Sequence, residues 1–370
     1  MKSLYLLGAV LLLSACAPTA VRPPPETPAA PAPESAPAPE APGRPANVDA
    51  SQPLGSRADV QAFIREMATR HGYNAASLRA VFARAYAKPA IIAAMSRQAE
   101  AKPWYEYRKI FLTERRIQGG AAFWREHATT LARAEQTYGV PAEIVVAIIG
   151  VETQYGGNMG NYRVLEALAT LAFDYPRRSA YFRKELENFL LLTRAEGVDP
   201  LTPRGSYAGA MGFGQFMPSS YRSYAVDFDG DGHRNLWTNP LDAIGSVAHY
   251  FAGHGWRPGE AIAAPAAVSG TAYVGLISDK LSPPTRSVAS LQAAGVRPQV
   301  EVNTAQPALL LKFAGSEGPE YWLGFANFYA ITRYNHSQLY AMAVYQLAQE
   351  IRDRYQRASV TAPAPRARVD

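Results

Sequence analysis

The run Val145-Val146-Ala147-Ile148-Ile149-Gly150-Val151 is apolar on every face of any helix it forms. No other segment restricts the fold as much, because a helix without a polar side has to be surrounded by protein. Pro141 suits the first turn of such a helix, so the pattern predicts one from Ala142 to about Gln154, packed at the centre of other helices. Glu152 follows the run directly. An unpaired carboxylate in apolar surroundings is costly, and its usual response is a raised pKa that keeps it protonated near neutral pH. That state is what a general acid needs. Position alone fits two other readings equally: a solvated glutamate at a fraying helix end, or one paired with a cation such as Arg163.

The rest of the first half also reads helical. Ser56 is placed to cap a helix whose apolar positions Val60, Phe63, Ile64 and Met67 share one face. Ala121 to Tyr138 shows the same spacing and stops at Gly139, and further helices fit Val164 to Phe173, Arg177 to Arg194, Leu241 to His254 and Ser337 to Tyr355. Between Trp256 and about Phe328 the texture changes to Ala, Val, Gly, Pro and Thr, with candidate strands at Ala272–Leu276, Ala308–Phe313 and Tyr321–Phe325. The expectation is a mainly α protein of α+β type: a helical region over 57–256, a small α+β lobe over 257–328, and a last helix over 329–357 that returns to the helical core.

The segment Ser206-Tyr207-Ala208-Gly209-Ala210-Met211-Gly212-Phe213-Gly214-Gln215-Phe216-Met217-Pro218-Ser219-Ser220 is too rich in glycine and alanine for a good helix and too apolar for a solvent loop. Small residues let backbone come close to a neighbour, while Ser206, Gln215 and the aromatic rings offer hydrogen bonds and stacking surfaces. Sugar binding suits this mixture, and so does tight packing against the Glu152 helix. A third motif, Asp227-Phe228-Asp229-Gly230-Asp231-Gly232-His233, matches the first half of an EF-hand loop, with aspartates at positions 1, 3 and 5 and glycine at 6. Position 7 would give the backbone carbonyl of His233. Position 12 is Thr238 instead of glutamate, and the next carboxylate is Asp242, so the loop is longer than usual. The expected ion is a structural Ca²⁺; no organic cofactor is expected. A solvated Asp/Gly turn is the alternative.

The N-terminus reads as an address. Met1-Lys2, an apolar stretch from Leu4 to Leu13 and the small residues Ser14 and Ala15 describe a secretory signal over residues 1–15. About ten apolar residues are too few to span a bilayer as a helix. Leu13-Ser14-Ala15-Cys16 resembles the bacterial lipobox, and Cys16 is the single cysteine of the chain, so no internal disulfide can claim it. Residues 16–56 are built from Pro, Ala, Glu and Ser, a composition that buries no core and favours extended polyproline II. Residues 358–370 read as a disordered tail. The implied setting is the periplasmic side of the cell envelope, with an outer-membrane lipid anchor through Cys16 and no nucleic acid as partner, since the chain is exported. The net charge of +6 suits an anionic polymer.

Several long motifs, in order, carry a family resemblance: Gly150-Val151-Glu152-Thr153, Tyr175-Pro176-Arg177-Arg178, the whole of Ser206 to Ser220, and Thr332-Arg333-Tyr334-Asn335-His336. Glu152-Thr153-Gln154-Tyr155-Gly156 also resembles the Glu-Ser-x-x-Gly of goose-type lysozyme, with Thr153 in place of serine. The chain resembles the membrane-bound lytic murein transglycosylase B family from roughly Arg57 to Tyr355. The resemblance implies a lysozyme-like helical core and cleavage of the β-1,4 bond between N-acetylmuramic acid and N-acetylglucosamine in peptidoglycan glycan strands. It makes Glu152 the catalytic acid and base, and Ser206, Gln215, Tyr107, Arg177, Arg178, Tyr181, Tyr250, Tyr334 and Asn335 cleft residues. Most glycosidases flank the bond with two carboxylates, yet no Asp or Glu occurs from Thr153 to Leu165 or from Leu201 to Val226. Two rival readings remain: a hydrolytic muramidase with Asp174 or Asp199 holding water, and a non-catalytic peptidoglycan-binding lipoprotein.

Overall fold

The computed structural model describes residues 50–96 and 102–361. The signal sequence, Cys16, most of the tether and residues 362–370 lie outside the described residues.

The apolar helix runs Ala142–Thr153 and is buried along almost its whole length, with Ile144 to Ile149 at 0–1% exposure. Pro141 takes the cap position itself, one residue ahead of the first turn. Helices Glu114–Glu126, Ala128–Tyr138, Pro240–Gly253 and the long C-terminal helix Gln338–Thr361 pack around it. Burying a large aliphatic side chain contributes roughly 1.5–3 kcal/mol, so this one helix supplies much of what holds the assembly together. A helical hairpin, Val164–Asp174 and Ser179–Ala195, packs beside it, with helices Ala58–His71 and Ala75–Phe82 at the N-terminal end.

Three local expectations are corrected. Ser56 does not cap the first helix; it sits in a 3-10 turn, Leu54–Ser56, with its hydroxyl on the Pro53 carbonyl, and Arg57 precedes the helix. The folded part therefore starts ahead of Arg57: Leu54 is fully buried and its N–H reaches the Ala85 carbonyl. The buried face Val60, Phe63, Ile64 and Met67 is the expected one. The segment ending at Tyr138 is two helices, because His127 leaves helical geometry at φ −112°, ψ 24° with its ring against Phe123. Gly139 closes the second of them in the left-handed conformation.

The third correction falls in the lobe. Ala272–Leu276 forms no strand; Val274–Leu276 is a 3-10 turn. The sheet instead has five antiparallel strands in spatial order Arg286–Ser287, Pro307–Ala314, Pro319–Gly324, Ala263–Val268, Val296–Pro298. It encloses its own apolar cluster, with Val288, Leu291, Val296, Leu310, Leu323 and Phe325 all at most 1% exposed. One buried side chain clamps the two ends of the insertion: Asn327 accepts the Arg257 N–H at 2.7 Å and donates to the carbonyls of Arg257 and Glu260 at 2.8 and 2.9 Å. From there Ala326–Tyr334 and Gln338–Thr361 carry the chain back into the helical core.

Candidate active site

The Glu152 helix ends abruptly. Gln154 and Tyr155 both take left-handed backbone, at φ 52° and 62°, a conformation uncommon for residues with side chains and held only by the surroundings. This turn sends the Tyr155 ring back over the helix, where its hydroxyl donates to the Arg116 carbonyl at 2.7 Å. A Cβ on Gly150 would lie 2.5 Å from that hydroxyl, so only glycine fits there. Arg116 completes the latch by donating from Nε to the Gly150 carbonyl at 2.9 Å. Glu152 is thereby fixed in the last helical turn, with only part of its surface open to solvent.

Among the described residues no basic side chain forms a salt bridge with Glu152, and Arg163 is exposed. The carboxylate's partner is instead a phenol: Tyr340 Oη donates to Glu152 Oε1 at 2.6 Å from the C-terminal helix. Burial pushes the Glu152 carboxyl up to about 7, while the Tyr340 hydrogen bond, which favours the charged form, pulls the other way. Burial dominates. The phenols of Tyr340, Tyr334 and Tyr107 are raised first by their own burial and further by the Glu152 charge, which places all three rings around the carboxyl.

The Ser206–Ser220 segment folds into a small ribbon against this site. Arg204–Gly205 pairs with Tyr162–Arg163, and isolated bridges join Gly205 to Met211 and Met211 to Phe216. Gly212, at φ 69°, lies so close to the Leu236 carbonyl that a Cβ would approach it to 2.2 Å. Phe213 donates its N–H to that carbonyl at 3.0 Å and accepts from Thr153 Oγ1 at 2.8 Å. Gln215 is left-handed at φ 50°, and its Nε2 donates to the carbonyls of Gly212 and Met159 at 3.0 and 3.3 Å. Tyr334 Oη donates to the Gly214 carbonyl at 2.6 Å. Ser206 Oγ accepts the Ala210 N–H at 3.0 Å, and Tyr207 beside it is 43% exposed.

The structure thus gathers Tyr107, Gln215 and Tyr334 about Glu152, and adds Tyr340, which sequence reasoning missed. Tyr250 stands one layer behind: its hydroxyl donates to the Arg333 carbonyl at 2.6 Å and its ring packs on Tyr334 and Phe216. Arg177 and Arg178 occupy a separate 3-10 turn, Pro176–Arg178, ahead of the helix that was expected to include them. Arg178 lies over the Tyr181 ring at 4.3 Å; burial pushes that phenol up to about 12. Asn335 is exposed at the end of helix Ala326–Tyr334.

At the acidic loop, the carboxylates of Asp227, Asp229 and Asp242 offer oxygens that lie within 4.8 Å of one another. Asp242 is fully buried on the first turn of helix Pro240–Gly253 and accepts the N–H groups of Phe228 and Asn235 at 2.7 and 2.8 Å, tying together both ends of the loop. Burial raises its pKa despite those bonds, and the charges of Asp229 and Asp227 add to the rise. Asp231 stands outside the convergent group and accepts the His233 N–H at 2.8 Å. The donors are hard oxygens with no basic partner in a salt bridge among the described residues, a set that suits a divalent cation such as Ca²⁺.

Known proteins agree with this geometry. The family described as transglycosylase SLT domain matches residues 55–349. The membrane-bound lytic murein transglycosylase B of Escherichia coli (strain K12) is 47% identical over 308 residues, covering 80% of this chain and 84% of that protein. The Escherichia coli lytic transglycosylase Slt35, solved in complex with calcium, superposes with a TM-score of 0.76 at 46% identity, covering 84% of this chain and 97% of that one. SltB3 from Pseudomonas aeruginosa, solved in complex with NAG-anhNAM-pentapeptide, superposes with a TM-score of 0.72 at 33% identity, covering 80% of this chain and 79% of that one. A helical core built around one glutamate, a glycine-rich ribbon beside it and a sheet lobe inserted before the last helices place the chain in the transglycosylase SLT domain family.

Proposed function

We propose that the protein is a peptidoglycan lytic transglycosylase that cleaves the MurNAc–GlcNAc β-1,4 bond and leaves 1,6-anhydroMurNAc ends. The observation that supports this most directly is a single glutamate whose carboxyl is raised to about 7 by burial, with a phenol on one oxygen and no cation beside it. Protonated Glu152 donates its proton to the glycosidic oxygen as the bond from that oxygen to the muramoyl anomeric carbon breaks. The carboxylate left behind then takes the proton of the C6 hydroxyl, whose oxygen bonds to the anomeric carbon and closes the ring. Glu152 ends protonated, and no water is consumed. The rival carboxylates have structural duties: both oxygens of Asp174 accept from Arg57 Nη1 at 2.8 and 2.9 Å, and Asp199 Oδ1 accepts the Leu201 N–H at 3.0 Å. Ser206, Gln215, Tyr107, Tyr250, Tyr334, Arg177, Arg178, Tyr181 and Asn335 are assigned to holding the strand. Mass spectrometry of digested sacculi tests the reaction: anhydro-muropeptides are expected, and reducing muramic ends in their place would mean hydrolysis.

The proposed setting is the periplasmic face of the outer membrane, with a lipid on Cys16. A Ca²⁺ held by Asp227, Asp229, Asp231, the His233 carbonyl and Asp242 would neutralise the loop and hold its ends together. The ion's role is structural, because the chemistry at Glu152 involves none of these groups.

A further inference from the structure

A cavity of about 460 Å³ opens beside the site, lined by Tyr105, Arg108, Lys109, Glu320 and Glu350 among others. It is not over Glu152, and the proposed chemistry leaves it unused. Three elements that build the catalytic surroundings also build this cavity. Helix Trp104–Phe111 turns Tyr107 toward Glu152 and contributes Arg108 and Lys109 here. The C-terminal helix carries Tyr340 on the Glu152 carboxyl and Glu350 in the cavity wall. Helix Glu114–Glu126, against which the Tyr155 latch closes, adds Ile117. The fourth wall, Ser316 and Glu320, comes from the hairpin of the inserted lobe.

The lining has both signs of charge and little to neutralise it internally. Arg108 and Glu320 stand 3.9 Å apart, a loose and solvent-exposed pair, and such pairs hold each other weakly enough to open for a ligand. Lys109 is exposed. A ligand with carboxylates and amide N–H groups along a short extended chain matches this arrangement better than a neutral sugar does.

Distance selects the ligand. Glu350 lies ten residues beyond Tyr340 on one helix, which is about 15 Å at helical rise. A pentapeptide fully extended reaches about 17 Å. We infer that this cavity receives the peptide stem of a muramoyl residue bound at Glu152, with Arg108 and Lys109 taking stem carboxylates and Glu350 and Glu320 taking its N–H donors. The inference rests on the glycan reading above and adds to it a preference for strands that still carry their stems.

Binding tests this independently of turnover. In a Glu152→Gln background, the pair Arg108→Ala/Lys109→Ala is compared with its parent on intact sacculi and on sacculi stripped of stems by an amidase. The expected result is a Kd on intact strands weakened roughly five- to tenfold, the scale of two exposed charge contacts, with binding to stripped strands changed less than about twofold on that scale. Unchanged binding to stripped strands also shows that the variant is folded. Equal weakening on both materials would reduce the two cations to general attraction for an anionic polymer and overturn the proposal, as would no weakening on intact strands. Failure of the glycan reading would show elsewhere, as wild-type protein that releases no muropeptides.

Discussion

The Glu152 carboxyl has to be an acid before bond cleavage and a base afterwards, and a pKa near neutrality is what lets one group do both. Glu152→Gln keeps the shape and loses both roles, so turnover should fall at least about a thousandfold while sacculus binding persists. Stability should change in the opposite direction. A carboxyl whose pKa is higher in the folded than in the unfolded chain favours folding below the unfolded value and loses that contribution as pH rises through about 7. Glu152→Gln should therefore match wild type in denaturant melts near pH 4, with its advantage growing to roughly 3 kcal/mol above pH 8. An equal difference at both pH values would mean the carboxyl is solvated. Tyr340→Phe removes the one hydrogen bond that favours the charged form, so the alkaline limb of the pH–rate profile should move to higher pH. A limb that stays in place would separate Tyr340 from the titration. The site was half legible at this scale. Glu152 stood out because a carboxylate at the end of an all-apolar helix violates the usual pattern. Tyr340 did not, since a tyrosine on the buried face of an amphipathic helix looks like any core residue until the fold brings it 2.6 Å from Glu152.

Among elements, the acidic loop has a reach that its sequence conceals. Asp242 holds the Asn235 N–H; the next residue, Leu236, accepts from Phe213; and Phe213 accepts from Thr153, the neighbour of Glu152. A cation that binds the folded loop alone raises stability by mass action. Chelator should lower the melting temperature of the wild type, and Asp229→Ala should abolish the difference between chelated and calcium-loaded samples. A melt indifferent to chelator would make the loop a hydrogen-bonded turn and nothing more. Helices were readable wherever spacing marked one buried face, as at Val60, Phe63, Ile64 and Met67. The sheet was not. Strand Ala263–Val268 contains Pro265, which normally argues against an interior strand. It is tolerated because the pairing with Val296–Pro298 ends at Ala266, and beyond it Pro265 contributes only its carbonyl, to the Gln299 N–H. The break at His127 carries no glycine or proline to announce it.

For the whole molecule, the lipid anchor predicts where the enzyme works. Cys16→Ala should move the protein from the membrane fraction to the soluble periplasm and leave its activity in solution intact; membrane fractionation like wild type would refute the anchor. The described fold also makes the chain's two halves interdependent, because the sheet lobe lies between the Glu152 helix and the helices that complete its surroundings.

That order has a consequence in time. Glu152 and Tyr340 are separated by 188 residues, and contacts so distant along the chain form late in folding, after nearer ones have shortened the loop between them. Until the last helix docks, the glutamate faces water and keeps an ordinary carboxylate pKa, ionised at neutral pH and useless as a proton donor. A nascent or half-folded copy therefore carries every catalytic residue and yet cannot cut. Lytic power switches on only with the closing of the chain's final helix.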